Sequence, residues 1–348
     1  MPKAYAAKAG TLTGWPIGFP SGLIDEGYPD WPQGWTFPGP PWPPGWDAAL
    51  YAAYLASLWS SYGSYGTGVG QFKSPRGKIA YDNTTGYLII GDTGNHRIVK
   101  TKMDGTGWTT FGSYGTGINQ FDHPETIIKE PLTDYFYVLD TYNTRIVKTD
   151  MTGSIFQTLN YKKLGGFSNV SVAYDSMDYD SDTGYFYLTD FYNYRIFKTK
   201  FDGSGVQYTN RTSTYFPYGN PVGCNYNKIT GDIYFRTWEM KICKIKIDNS
   251  GALILNDTIS GSYGGLGYNS ELNKIFYDEY ATVNDIWQYV LTQMNVDGTN
   301  KKYLPGKGAG IGERFNAINS TIYFNNYLFV TNMGDSNILK ISYSWAYP

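Results

Sequence analysis

The decapeptide GSYGTGVGQF at residues 63–72 returns almost unchanged as GSYGTGINQF at residues 112–121. A second element also recurs: GDTGNHRIVKTKMDG at residues 91–105 is echoed by LDTYNTRIVKTDMTG at residues 139–153 and TDFYNYRIFKTKFDG at residues 189–203. Self-similarity at a fixed spacing is typical of repeat architectures. The recurrence of these two elements therefore indicates that the chain is built from repeated units.

Fainter copies of the second element continue toward the C-terminus, beginning at Arg236 (RTWEMKICKIKIDNSG), Asn284 (NDIWQYVLTQMNVDG) and Thr331 (TNMGDSNILKIS). All six copies can be aligned on one strand position, which is occupied by Lys100, Lys148, Lys198, Lys244, Gln293 and Lys340. The intervals are 48, 50, 46, 49 and 47 residues, an average of 48. A unit of about 40–50 residues built from short β segments has the size of a propeller blade.

Turn residues mark three chain reversals within a unit. In the first unit these are NTTG at residues 83–86, the D-x-x-N-x-R element, and MDGTG beginning at Met103. Three turns separate four strands, which is the content of one blade. The sequence therefore predicts an all-β fold, a six-bladed β-propeller with four-stranded blades.

The N-terminal edge of the repeats predicts how the ring closes. LWSSYGSYGTGVGQF at residues 58–72 matches GWTTFGSYGTGINQF at residues 107–121, a stretch that bridges two blades. We therefore expect residues 58–62 to be the outermost strand of the last blade, paired with residues 337–343. Such closure removes the exposed edge that an open β array would leave.

Composition agrees with this fold and excludes several function classes. The 348 residues include 41 Gly, 34 Tyr, 18 Phe and 10 Trp, against 28 basic and 30 acidic residues. Aromatic residues favour strands, and Gly serves tight turns. A formal net charge of −2 argues against a broad phosphate-binding surface, so we expect no nucleic-acid partner. No stretch approaches ~18 consecutive apolar residues, so we expect no membrane insertion.

The pattern G-x-G-x-GQF, followed by P-x-G, D-T-G-N-H-R-I and a D-G turn, strongly resembles the NHL repeat, a family of six-bladed β-propellers. The resemblance covers roughly residues 58–348, is sharp in the first three units and is faint in the fifth. In the fourth unit Arg236, Glu239 and Lys241 replace the Asp, Asn and Arg of the motif. Some NHL proteins bind RNA, and NHL-like lyases hold zinc through several His in the pore.

An acidic and a basic residue recur at one spacing in the first three units: Asp92 and Arg97, Asp140 and Arg145, Asp190 and Arg195. A carboxylate and a guanidinium on two strands joined by a short turn can form a charge-assisted hydrogen-bonded pair. A ring of ligand contacts is one interpretation. Because the pair repeats in successive blades, we expect a structural staple instead.

Metal and cofactor chemistry has few candidates. Asp175, Asp178, Asp180 and Asp182 form a weak candidate calcium site, but the third unit's hairpin turn accounts for Asp180 better. His96 and His123 are the only histidines, and we expect both to be ordinary polar surface residues rather than metal ligands. Cys243 is expected to be a core thiol. The sequence thus predicts no metal, no cofactor and no catalytic residue.

The N-terminal region differs from everything after it. Residues 12–46 contain nine of the 17 Pro residues and five of the ten Trp residues, Trp15, Trp31, Trp35, Trp42 and Trp46. Proline excludes helix and central strand here, so we expect an extended arm over residues 1–46, a short helix or linker over residues 47–57, and the propeller over residues 58–348. Five large indoles need a partner, either the propeller itself or another protein.

These features favour a non-enzymatic structural and binding protein. The arm would dock into protein subunits of a larger extracellular assembly or virus particle, and a propeller face would engage a protein or glycan partner. Residues 1–16, MPKAYAAKAGTLTGWP, lack the apolar core of a secretory signal, and a cytoplasmic location stays open. Two alternatives remain: a lyase or hydrolase with its site in the pore, and an RNA-binding propeller.

Overall fold

The computed structural model describes residues 59–82, 84–131, 133–161, 164, 176–210, 219–257, 259, 265–283, 286–304, 318–324, 327–332 and 334–342. The predicted arm, the predicted helix, Asp175 and all five candidate Trp residues of the arm lie outside them. Within the described residues, the strands form six antiparallel sheets of four strands each, together with two short parallel pairs. The predicted six-bladed propeller is confirmed.

Each blade is a meander of consecutive strands. The first three blades, each written from its first strand to its fourth, are Ala80–Asp82, Tyr87–Asp92, Arg97–Thr101 and Thr109–Phe111; Pro124–Lys129, Phe136–Asp140, Arg145–Thr149 and Phe156–Asn160; and Met177–Asp180, Tyr185–Asp190, Arg195–Lys200 and Gln207–Tyr208. The fourth and fifth blades are Pro221–Tyr226, Ile233–Thr237, Ile242–Ile245 and Leu253–Asn256; and Leu266–Asn269, Lys274–Val283, Ile286–Asn295 and Lys302–Leu304.

The sixth blade takes strands from both sides of the repeat array. Ile318–Phe324, Tyr327–Asn332 and Asn337–Ser342 are followed in the sheet by Trp59–Tyr62. Trp59 pairs with Ile341 and Tyr62 with Ile338, so the ring is closed as the repeated sequence predicts. First strands of successive blades contact one another, which places them around the centre.

Apolar side chains between adjacent blades form the core. The Phe of each GQF sequence is fully buried, Phe72 between the sixth and first blades and Phe121 between the first and second. Four of the aligned lysines lie on third strands and cover tyrosines of the second strands: Lys100, Lys148, Lys198 and Lys340. The fifth, Lys244, instead has its Nζ 3.3 Å from Asp232 Oδ2. Lys100 Nζ is 4.4 Å from the centre of the Tyr87 ring, and Lys340 Nζ is 3.8 Å from that of Tyr327. Each such contact stabilises the blade by about 0.5–1 kcal/mol.

The fifth blade departs from the repeat. Lys274–Val283 and Ile286–Asn295 form a hairpin of two ten-residue strands, longer than the second and third strands of the other blades. Its sequence lacks the Asp, Asn and Arg of the motif, so the side chains that build the short turn elsewhere are missing. No helix among the described residues is long and apolar enough to cross a membrane.

Where the structure describes both, two kinds of connection lie at the same end of a blade's sheet. Because the strands are antiparallel, the turn from second to third strand lies beside the segment that crosses to the next blade. We call this end the connection face; its described parts include residues 63–74, 93–96, 112–123, 141–144 and 191–194. The features described below lie mainly on this face.

Candidate functional site

The repeated Asp–Arg pairs hold the connection face together. In the first blade, the buried carboxylate of Asp92 accepts hydrogen bonds from Arg97 Nε at 2.8 Å, Asn95 Nδ2 at 2.9 Å and the backbone N–H of Lys73 at 2.7 Å. The carboxylate therefore joins its own turn to the segment that arrives from the preceding blade. Burial raises the pKa of Asp92, although all three donors oppose the shift.

The remaining donors of this element reach the repeated decapeptide. Arg97 Nη1 donates to the carbonyl of Thr67 at 2.8 Å, and Asn95 Nδ2 donates to that of Gly66 at 2.8 Å. Arg145 and Asn143 make the same bonds to Thr116 and Gly115. Asn95 and Asn143 therefore bond the neighbouring loop as well as the Asp residue of their own turn. The pairs fix the position of two loops at once.

The third blade keeps the pair in a simpler form. Arg195 Nε donates to Asp190 Oδ2 at 2.8 Å, and the Arg195 guanidinium lies 4.5 Å from the centre of the Tyr208 ring. Asp140, the counterpart in the second blade, is fully buried like Asp92, and burial raises its pKa too. Each of the three carboxylates accepts hydrogen bonds from the Asn and Arg side chains of its own turn. This is the arrangement of a structural staple.

The weak calcium candidates are directed to three different partners. Asp178 Oδ1 is 3.1 Å from Lys78 Nζ. Asp180 accepts from the Thr183 hydroxyl at 2.6 Å within its hairpin turn, and Asp182 pairs with Lys228 Nζ at 2.8 Å. The described carboxylates therefore do not converge on one point.

Two loops of the connection face expose apolar side chains. These loops, residues 63–72 and 112–121, are called the docking loops. Val69 and Ile118 are 77% and 76% exposed, and Tyr65 and Tyr114 are 68% and 67% exposed, at equivalent positions of the two loops. Tyr142 and Tyr192, in the turns of the second and third blades, add exposed rings to the same face.

The docking loops are internally braced. Gln71 Oε1 accepts from the Gly68 N–H at 2.9 Å, and Gln120 Oε1 accepts from the Gly117 N–H at the same distance. A Cβ on Gly66, whose φ is +151°, would lie 2.3 Å from Gln71 Oε1, so this position needs glycine. Sequence reasoning gave the glutamines no role, because the bond depends on how the loop folds.

The two histidines come together although 26 residues lie between them. Asp122 Oδ1 is 3.3 Å from His96 Nδ1 and 2.8 Å from His123 Nδ1. We call these three residues the His–Asp–His triad. Burial and then the neighbouring His123 lower the pKa of His96. Sequence reasoning noted each histidine but could not place them side by side.

Charged residues also occur toward the centre of the ring. Lys78 and Asp178 link the first and third blades. Glu125, on the first strand of the second blade, is fully buried, and Arg76 Nη1 lies 3.8 Å from its Oε1. Burial raises the pKa of Glu125 to about 8, while Arg76 opposes the shift.

The cysteines are core residues. Cys224 and Cys243 are buried and unpaired by disulfide, and burial raises the pKa of both thiols. The expectation of a core thiol at Cys243 is confirmed.

No protein-family model and no curated protein matches this chain. Solved structures do match its fold. The chain is similar to a structure of the nidogen/laminin complex, at 14% identity over 72% of this chain and 87% of that chain, with a TM-score of 0.53. It is also similar to hydrazine synthase of Kuenenia stuttgartiensis, at 12% identity over 80% of each chain, with a TM-score of 0.53.

A Bacteroides thetaiotaomicron protein of unknown function gives a TM-score of 0.56 at 13% identity, over 81% of this chain and 72% of that chain. At such identities the likeness shows the propeller fold alone.

Proposed function

We propose that this chain is a non-enzymatic binding propeller of NHL-type repeats that engages a protein partner through the docking loops. The observation that carries the proposal is the repeated exposure of Tyr65 and Val69 in one loop and Tyr114 and Ile118 in the next. Tyrosine provides large contact area with few rotatable bonds, and such residues dominate binding energy at interfaces.

The aliphatic side chains of the docking loops, Val69 and Ile118, favour a protein partner over a glycan partner. A sugar ring stacks on flat aromatic faces and satisfies its hydroxyls with polar groups. Val69 and Ile118 offer neither, whereas a protein partner can bury them in an apolar pocket. Full burial of one such side chain stabilises a complex by about 1.5–3 kcal/mol.

Preorganisation strengthens the same inference. The docking loops are held by Gln71 and Gln120 from within and by Arg97 and Arg145 from the adjoining blades. A loop already fixed in its bound conformation loses little entropy on association. The staples thus serve binding indirectly, by holding the surface that contacts the partner.

Display on a larger assembly is the second part of the proposal. The arm, residues 1–46, carries the five indoles Trp15, Trp31, Trp35, Trp42 and Trp46. We assign it to docking into protein subunits of an extracellular assembly or virus particle, with the propeller presented outward. Large apolar side chains in a proline-rich segment suit extended binding to a partner groove.

Deleting residues 1–46 should leave a folded propeller that no longer enters the assembly. The propeller keeps all six blades without the arm, so far-ultraviolet circular dichroism and the midpoint of thermal unfolding should match those of the full chain. Incorporation into the native particle, followed by immunoblotting, should fall at least tenfold. Unchanged incorporation would remove the arm from the proposal.

Replacing the exposed apolar residues of the docking loops should weaken partner binding without loss of stability. A photocrosslinking amino acid at position 69 or 118, in the organism that makes the protein, should yield protein adducts. The variant Val69→Ser/Ile118→Ser should then bind the crosslinked partner at least ~10-fold more weakly, about 1.4 kcal/mol.

The matched control is Ile229→Ser. Ile229 is 77% exposed but lies in a hairpin turn at the opposite end of the fourth blade. It should retain binding, and a crosslinker at position 229 should give no adduct with the same partner. Adducts to RNA or glycan at positions 69 and 118, or equal weakening by Ile229→Ser, would contradict the proposal.

A further inference from the structure

The His–Asp–His triad lies where two blades meet on the connection face. His96 is the last residue of the turn between the second and third strands of the first blade. Asp122 and His123 immediately precede the first strand of the second blade. The N–H of Asp122 donates to Asp140 Oδ1 at 2.7 Å, and the carbonyl of Asp122 accepts from the Tyr142 N–H at 3.1 Å. Two of the three residues are therefore fixed to the second blade and one to the first.

Hydrogen bonds and close contacts already bring the possible ligand atoms of the triad together. The N–H of His123 donates to His96 Nδ1 at 3.3 Å, so this nitrogen carries no proton in that bond. The same nitrogen lies 3.3 Å from Asp122 Oδ1. A cation between this nitrogen, acting as an acceptor, and the carboxylate oxygen would be attracted by both.

The ligand atoms are close enough for one metal ion. One atom from each triad residue lies within 4.8 Å of the others. Ligands of a tetrahedral zinc ion at 2.0–2.2 Å are about 3.3 Å apart. His96 Nδ1 lies at that distance, 3.3 Å, from Asp122 Oδ1, and His123 Nδ1 lies at 2.8 Å, so a shift of about 0.5 Å at His123 completes the match. Within the part of the chain that the structure describes, this is the only group of three or more His, Cys, Asp or Glu residues with such spacing.

The junction between the sixth and first blades provides an internal comparison. There Ser336, Lys73 and Ser74 occupy the positions of the triad, with the same left-handed backbone at both seryl positions. The Ser74 N–H donates to Ser336 Oγ at 3.3 Å, the distance of the equivalent bond between the histidines. The backbone arrangement is thus a property of the repeat, whereas a metal-binding set of side chains occupies it at one of these two junctions.

Aromatic neighbours hold both imidazoles and leave one side open. The His123 ring stacks on Tyr142 with centres 3.7 Å apart, and the His96 ring packs edge-on against Tyr114 at 4.8 Å. The triad is only partly buried, so an ion can enter from solvent and a coordination position remains free. Two imidazoles with one carboxylate suit Zn²⁺, which commonly takes three protein ligands and one exchangeable ligand.

We propose that His96, Asp122 and His123 form a zinc-binding site that joins the first and second blades and keeps an open coordination position on the connection face. This assignment revises the expectation that both histidines are ordinary surface residues. Zinc would cross-link the turn of one blade to the first strand of the next, beside docking-loop residue Tyr114. The site is independent of partner binding, so its failure would leave the proposed function standing.

The first experiment uses the full chain purified without a histidine tag. Titration with Zn²⁺ by isothermal calorimetry should give one ion per chain. The chain has two histidines, so its imidazole NMR signals report on the triad alone, and both should shift together as zinc is added. No binding, or binding that leaves either imidazole signal unmoved, would overturn the proposal.

Variants that copy the other junction test the ligand set. His96→Ser and His123→Ser introduce the residue that the same backbone carries at positions 336 and 74. Each should weaken zinc binding on the order of 100-fold or more, since outer residues of metal sites alone change affinity by about 10–100-fold. The control Asp182→Asn, an exposed carboxylate elsewhere, should change it less than about twofold.

Folding of the metal-free variants is checked by circular dichroism. If the seryl variants fail to fold, Asp122→Asn retains shape and hydrogen bonding but removes the charge, and it should weaken binding at least ~10-fold. At the same concentration, zinc should raise the thermal midpoint of the native chain more than that of Asp122→Asn. Equal affinity in native and variant chains would refute the site.

Discussion

Asp278→Ala is expected to lower the free energy of unfolding by about 3–5 kcal/mol. Arg236 and Asp278 are both fully buried, and Arg236 Nη1 donates to Asp278 Oδ1 at 2.9 Å and to the Asp278 carbonyl at 3.2 Å. The pair joins the fourth blade to the fifth. Removing the carboxylate leaves a guanidinium in the core without its charge partner, and the cost of burying that charge appears as lost stability. Equilibrium urea unfolding followed by tryptophan fluorescence measures it.

Two control variants separate the effect of burying a charge from the effect of removing its partner. Asp182→Ala removes a carboxylate that lies 2.8 Å from Lys228 Nζ in a pair exposed to solvent, and should cost less than about 1 kcal/mol. The double variant Arg236→Met/Asp278→Leu replaces both charges with apolar groups and should recover most of the stability lost in Asp278→Ala. A loss below about 1 kcal/mol in Asp278→Ala would show that the core tolerates the guanidinium of Arg236 without the Asp278 carboxylate.

The fold could be predicted because the repeat encodes its own topology. The three turns of one unit determine that a blade has four strands, and the six copies of the unit determine that the ring has six blades. The match between residues 58–72 and 107–121 then places Trp59–Tyr62 in the last blade. Short-range features such as the Asp92–Arg97 pair follow from spacing within a hairpin, so they too could be inferred from sequence.

Contacts between blades could not be inferred in this way. Arg236 stood out because it replaces the usual Asp, but its partner Asp278 lies 42 residues away in a blade whose motif has decayed. The His–Asp–His triad is also a contact between two blades. His96 and His123 meet because a turn and a blade crossing share one end of the sheets, and their distance depends on the exact path of the chain at the junction. The residue types could be read from the sequence, but the triad forms only where neighbouring blades pack together.

Glu125→Gln should abolish a pH-dependent part of the protein's stability. Glu125 is fully buried, and its pKa is raised to about 8 from an ordinary value of 4.5. Below pH 4.5 the carboxyl is protonated in both folded and unfolded chains and has no effect. Between pH 4.5 and 8 the folded chain holds more protons than the unfolded chain, so stability falls as pH rises and levels off above pH 8. The native chain should lose up to ~5 kcal/mol from this group.

The decisive quantity is the difference between native and Glu125→Gln in urea unfolding at pH 5 and pH 8.5. The two chains should differ by less than about 1 kcal/mol at pH 5, where most of the titration has yet to occur, and the variant should be clearly the more stable at pH 8.5. Taking the difference cancels the contributions of Asp92 and Asp140, whose pKa values burial also raises. Equal stability of the two chains at pH 8.5 would mean that Arg76 compensates the buried charge fully.

Glu130→Gln is the matched control, and its effect on the free energy of unfolding should have the opposite sign. Burial acts to raise the pKa of Glu130, but the Tyr137 hydroxyl and Lys148, whose Nζ is 3.2 Å from Glu130 Oε2, outweigh burial and hold the pKa below its ordinary value. A depressed folded pKa gives stability that is present above pH 4.5 and lost as pH falls through the folded pKa. Glu130→Gln should therefore be less stable than the native chain at pH 8.5 and should approach it as the pH falls below 4. Opposite signs for two glutamates five residues apart would show that location in the blade decides which of them stabilises the fold: Glu125 faces the buried centre, and Glu130 lies beside a lysine.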